Sequence, residues 1–199
     1  MTQRHLQLIS SLPAIFGRLT NNYYFSPTME QDKLYFVTST ILHWKHLLTK
    51  DSYKDILINE WRRRAQLGHI KIYAFVIMPN HYHAIINTPS PFIPEDIQRD
   101  IHKWVSKQLI ADLKSSNPDG LRQFAVDAKD RKYQIWERNS LPIVLYTPDV
   151  IAQKLKYIHE NPLQEHWKLA ELPEEYKYSS AGFYFNNNTT WDFLTSVYD

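Results

Sequence analysis

At 199 residues the chain has room for one well-cored domain and is too short for two ordinary ones. Hydrophobic residues at 43% and charged residues at 22% are globular values that argue against general disorder, and no apolar run approaches the roughly 20 residues of a spanning helix. Zero cysteines exclude disulfides, thiolate metal sites and cysteine nucleophiles, while a net charge of +2 is too small to announce nucleic acid by itself.

The N-terminus "MTQRHLQLISSLPAIFG" lacks a signal-peptide core, so a cytoplasmic protein with no membrane partner is expected. Residues 1–31 carry scattered turn formers and no periodicity, which predicts an irregular arm ahead of a single domain over 32–199. "KLYFVTST", 33–40, is β-branched and aromatic and predicts a strand. "SYKDILINEWRRRAQL", 52–67, predicts a helix ending at Gly68, in which Arg62 to Arg64 form a solvated charge run. "IKIYAFVIM", 70–78, and "HYHAIINT", 81–88, are apolar runs joined through Pro79 and Asn80, the pattern of an antiparallel hairpin.

Over 95–114, Ile97, Ile101, Trp104, Val105, Leu109 and Leu113 recur at helical spacing. The polar stretch 115–132 predicts a loop, and "YQIWER", 133–138, a short strand. "TPDVIAQKLKYIHEN", 147–161, opens with Thr147 as N-cap, Pro148 at the first helical position and Asp149 on the positive end of the dipole; Pro162 stops it. Strand, helix, strand, strand, helix, strand is the order of an α+β, ferredoxin-like antiparallel sheet with helices on one face, extended here by a C-terminal helix and tail. Six Trp and 13 Tyr are read as core packing, with base stacking open only to those that prove exposed.

Alternation along a strand sends His81 and His83 to one face and Tyr82, Ala84 and Ile86 to the other. Two imidazoles side by side form half of a metal site, and a third ligand has to come from an element packed over the strand. The 147–161 helix offers one, because Tyr157 and Asn161 are four apart on one face with Lys154 on the same side. Val150, Ile151, Leu155 and Ile158 supply the stripe that presses this helix on the sheet, whereas His159 lies about 200° round from Tyr157. Taken alone, each residue also has a structural reading: a satisfied core histidine, a half-buried tyrosine, an Asn cap before Pro162. Arg99, Lys103 and Lys107 repeat every four residues along the second helix, as a DNA-contacting ridge or an ordinary solvated face.

"YAFVIMPNHYHAII" resembles the metal motif of the HUH single-strand nucleases, and "KYIHENPLQEHWK" with "PEEYKYSSAGFY" resembles the tail of the REP-associated tyrosine transposases. The likeness spans about Tyr35 to Tyr184. It implies a metal-dependent single-stranded DNA endonuclease and strand transferase acting beside DNA hairpins through a 5′-phosphotyrosine link. His81, His83 and Asn161 would hold a divalent Mg or Mn ion, Tyr157 would be the nucleophile, and Lys154 would face the DNA. The long tail favours a monomer over a homodimer. Two other readings stand beside it: a hairpin-binding regulator that no longer cleaves, and an unrelated hydrolase in which the histidines activate water and Tyr157 is dispensable.

Overall fold

The computed structural model describes residues 29–138 and 142–199. Most of the predicted arm, residues 1–28, lies outside them; Met29, its first described residue, is buried in the core. Strand β1 (Tyr35–Thr40) is followed by helix α1 (Asp51–Gln66), the hairpin β2 (Lys71–Ile77) and β3 (His81–Asn87), and helix α2 (Pro94–Ser116). Next come a short helix α3 (Pro118–Arg122), a small hairpin β4 (Ala125–Ala128) and β5 (Arg131–Tyr133), and β6 (Ile143–Val144). Helices α4 (Pro148–Glu160) and α5 (Ala181–Asn186) complete the set. The main sheet runs β2-β3-β1-β6 and every pairing in it is antiparallel, which is the predicted ferredoxin-like order.

Period-two alternation divides the sheet into two apolar faces. Tyr35, Val37, Tyr82, Ala84 and Ile86 pack with Tyr53, Leu57, Ile58 and Trp61 of α1 and with Ile97, Ile101, Val105, Leu109 and Leu113 of α2. Phe36, Val76 and Ile85 point the other way, against Leu155 and Ile158 of α4. So α1 and α2 cover one face and α4 the opposite one, the face that carries His81 and His83. From Ile97 onward the buried row of α2 is an i, i+4 series; Trp104 lies beyond its flank and is 36% exposed, which removes it from the predicted stripe.

Two other expectations are corrected. The predicted loop 115–132 holds α3 and the β4–β5 hairpin, with the Asn117 side chain accepting from the Gly120 N–H at 2.9 Å to cap α3. The fourth strand of the main sheet is β6, pairing Ile143 and Val144 with Phe36 and Tyr35, rather than 133–138. In that stretch Ile135 and Trp136 are buried, and Trp136 makes only an isolated bridge to Ile41. Tyr133 at the start of the stretch does pair, as the end of β5 opposite Ala125, but the run does not join the main sheet as a strand; periodicity cannot separate a strand from an irregular buried segment.

The expected stop at Gly68 is real, with φ of +71° that any side chain would strain. The charge run Arg62 to Arg64 is paired rather than merely solvated: Arg63 and Arg64 bind the buried Glu60 carboxylate at 2.7 to 2.8 Å, and Arg62 binds Asp192 at 2.8 Å. The tail also finds a role. Its backbone closes the outer edge of β2 through Ile77 N–H to Tyr178 O, Ser180 N–H to Phe75 O and Thr195 N–H to Ile72 O, blunting an edge that would otherwise offer free donors and acceptors. No helix among the described residues is long and apolar enough to cross a membrane.

Candidate active site

The hairpin register sets His81 and His83 on the α4 face, where their ring centroids lie 4.7 Å apart and both side chains are buried. Thr147 caps α4 as predicted, its side chain accepting from Val150 N–H at 3.3 Å, and the Leu155/Ile158 contact lays the helix across β2 and β3. That places Tyr157, still 41% exposed, with its hydroxyl 3.4 Å from His83 Nε2 and its ring edge-on to both His83 and Phe36. Phe36 in turn stacks on His83 at 5.2 Å. Lys154, one turn earlier, holds its ammonium 4.8 Å from the Phe36 ring and 5.8 Å from that of Tyr157. His159 turns away, buried and bonded to Ser180 Oγ at 2.9 Å, as its angle on the helix required.

The protonation of the pair follows from its partners. Asn80 Nδ2 donates to Trp44 O at 3.3 Å, an atom that can only accept, so Asn80 Oδ1 faces His81 Nδ1 at 2.6 Å. His81 therefore carries its proton on Nδ1 and presents a lone pair at Nε2. His83 Nδ1 meets Thr38 Oγ1, its cross-strand neighbour on β1, at 2.7 Å; a hydroxyl can donate or accept, so this contact holds the ring with Nε2 toward Tyr157 under either tautomer. Burial pushes the His81 pKa down to about 4 against an opposing pull from the Asn161 side chain, while burial, His81 and Lys154 push His83 well below its usual range. Both imidazoles are neutral at pH 7, the form that binds metal.

Asn161 closes α4 beside both groups; its buried Oδ1 makes no well-formed hydrogen bond, although the side chain lies close enough to the His81 ring to pull against the burial shift. Among the described residues no three His, Asp or Glu side chains cluster for a metal, so a third protein donor falls to an amide. Two imidazole lone pairs and one orphaned amide oxygen fit a divalent cation: an unpaired buried carbonyl is costly, and a cation is what three acceptors without a shared proton require. The Tyr157 hydroxyl is raised by burial, partly offset by Asn161, so it is a protonated phenol at neutral pH.

The structure brings Tyr157, Asn161 and Lys154 to the histidine pair, but not the predicted ridge. Arg99, Lys103 and Lys107 lie on α2, over the opposite face of the sheet, and Arg99 is engaged by Asp96 at 2.6 Å. Residues that the sequence did not single out complete the surroundings. Thr38 and Phe36 come from β1, Asn80 from the hairpin turn, and Trp44 and Trp167 each lie 6.1 Å from the His81 ring. His43 and Trp44 stand in consecutive left-handed conformations, φ +57° and +56°, a geometry that costs about 1–2 kcal/mol for each L-residue.

The buried neutral histidines make stability depend on pH. The unfolded chain takes up protons below about pH 6.5, but folded His81 and His159 resist until about 4. Stability therefore falls as pH drops through that window, by about 1.4 kcal/mol per pH unit for each such histidine. Thermal melts of the metal-free protein should show the transition temperature dropping steadily from pH 7 to pH 4.5; a flat profile would contradict the buried, neutral assignment.

No family model matches the sequence, and no curated protein matches it. Among solved structures, the chain is similar to a REP-associated tyrosine transposase bound to a REP hairpin, with TM-score 0.54 and 16% identity over 90% of this chain and 89% of that one. A candidate transposase from Deinococcus radiodurans is a second match, with TM-score 0.42 and 16% identity over 72% of this chain and 97% of that one. At these identities the first likeness establishes one thing: the antiparallel sheet with its flanking helices is the fold that the REP-hairpin-bound transposase also adopts.

Proposed function

We propose that this chain is a metal-dependent, single-stranded DNA endonuclease and strand transferase whose nucleophile is Tyr157. The observation that carries the reading is the approach of the Tyr157 hydroxyl to 3.4 Å from His83 Nε2, beside an Asn161 carbonyl that is buried and unbonded. A lone histidine pair would fit many proteins; a half-exposed phenol poised on it fits far fewer. The similar transposase is bound to a hairpin, which supports hairpin-bearing DNA as the substrate class.

His81, His83 and Asn161 would hold the ion, Mg or Mn, which when bound supplies a Lewis acid for the non-bridging oxygens of the scissile phosphate. Tyr157 Oη forms the new bond to phosphorus and the 3′ oxygen leaves, giving a 5′-phosphotyrosine and a free 3′-OH. Because the phosphodiester is exchanged rather than hydrolysed, a 3′-OH can reverse the step without ATP. His83 Nε2 cannot both ligate and take the phenol proton, so that proton passes to solvent or a substrate oxygen. Lys154, close to the Tyr157 ring, adds positive charge where phenolate and phosphate meet. Thr38 and Asn80 fix the two rings by their Nδ1 atoms.

Incubation with Mn and labelled hairpin oligonucleotides should yield a denaturant-resistant protein–DNA adduct that EDTA prevents. Hairpin binding with no adduct under any metal would favour a non-cleaving regulator instead. The assignment of Asn161 makes a separate prediction. Asn161→Asp replaces an orphaned carbonyl by a buried carboxylate, which destabilises the metal-free protein and tightens Mn binding; Asn161→Ala weakens Mn binding at least about tenfold. Melts with and without Mn read both, and identical Mn-induced shifts in all three proteins would remove Asn161 from the ligand set.

A further inference from the structure

Trp44 is a large apolar side chain left 56% exposed beside the histidine pair, with its ring 6.1 Å from that of His81. Its backbone is held in a conformation that L-residues avoid, as is that of His43 before it. That conformation is not a local accident. His43 N–H donates to Glu137 Oε1 at 2.7 Å, Trp44 N–H to Ile41 O at 2.9 Å, and the Trp44 carbonyl accepts from the same Asn80 amide whose other end orients His81. The loop that displays the indole and the ring of a candidate ligand are thus tied through one side chain. A wholly structural tryptophan would be buried, and a wholly incidental surface residue would not need three hydrogen bonds to hold a strained backbone.

We propose that Trp44 is a stacking platform for one unpaired nucleobase next to the reacting phosphate, and so selects single-stranded over paired DNA. The inference rests on the nuclease reading for its substrate, and on the geometry for its residue. An indole face offers every base the same stacking surface, so the contact selects an unpaired, splayed base rather than a particular sequence. Base pairing and stacking within a duplex would withdraw that base from reach.

The test separates binding from cleavage. Full-length protein in EDTA is titrated with fluorescent single-stranded and hairpin oligonucleotides carrying one abasic site at successive positions, and affinity is read by anisotropy. Wild type should show one position where base removal weakens binding about 5- to 100-fold. Trp44→Gly should bind as weakly as that abasic complex and lose its sensitivity to that position, while Trp44→Phe keeps most of it. Glycine suits the left-handed backbone, so Trp44→Gly should melt at or above the wild-type temperature, which excludes misfolding as the cause. An unchanged abasic profile in Trp44→Gly overturns the stacking role, as does absence of any single-strand binding by wild type. Wild-type adduct formation, scored in parallel with Mn, judges the nuclease reading independently: an adduct with an unchanged profile sinks stacking alone, and a Trp44-dependent profile without an adduct sinks the nuclease alone.

Discussion

Tyr157→Phe should leave fold and DNA binding intact and cut strand cleavage by at least about 10⁴-fold, the scale on which loss of a nucleophile is felt. The substitution removes one oxygen from a half-exposed ring, and the edge-on contacts to Phe36 and His83 survive. Its transition temperature should stay close to wild type, because the hydroxyl's approach to His83 Nε2 is long, at 3.4 Å, and its other side-chain partner is the neutral Asn161 amide, a bond worth about 1 kcal/mol. Cleavage, by contrast, loses the oxygen proposed to form the covalent link. Equal cleavage by Tyr157→Phe and wild type, followed on denaturing gels, would transfer the chemistry to an activated water and leave the tyrosine a bystander.

The second large effect is expected at His83. His83→Phe keeps a flat ring stacked on Phe36 and avoids the cavity an alanine would leave, yet it deletes the Nε2 donor. Mn affinity, measured by calorimetry or by the free-ion EPR signal, should fall by more than the 10- to 100-fold typical of changes in groups that merely orient a ligand. His81→Phe should do the same. Thr38→Val and Asn80→Leu, which remove the partners of the Nδ1 atoms and, for Asn80, its bond to the Trp44 carbonyl as well, leave both Nε2 atoms in place and belong in the milder range. If His83→Phe binds Mn as wild type does, the cation lies elsewhere and the paired imidazoles serve only the core.

Several of these groups were legible in the sequence because their positions obey simple periods. Alternation along "HYHAII" settles which face His81 and His83 take, and the spacing of Tyr157 and Asn161 settles that they share a side of α4. Distances between elements were not legible. Thr38 partners His83 only through the β1–β3 register, and Trp44 reaches His81 only because two left-handed residues turn the chain after Ile41, a conformation that no period or composition announces. The basic row Arg99, Lys103 and Lys107 shows the converse: its spacing along α2 is real, but which face of the sheet α2 covers depends on packing. The last main-sheet strand escaped because β6 is two residues long, too short for any period, while the run 133–138 before it buries Ile135 and Trp136 and touches the main sheet only through the Trp136 bridge to Ile41.

The most direct test is the chemical identity of the cleaved ends. Protein incubated with Mn and a hairpin oligonucleotide should be digested, and the DNA-linked peptide sequenced by mass spectrometry. The expected product is a nucleotide 5′-phosphate esterified to Tyr157, with a free 3′-OH on the released fragment. Cleavage that leaves a free 5′-phosphate and no linked peptide, or a link to any other residue, would contradict it.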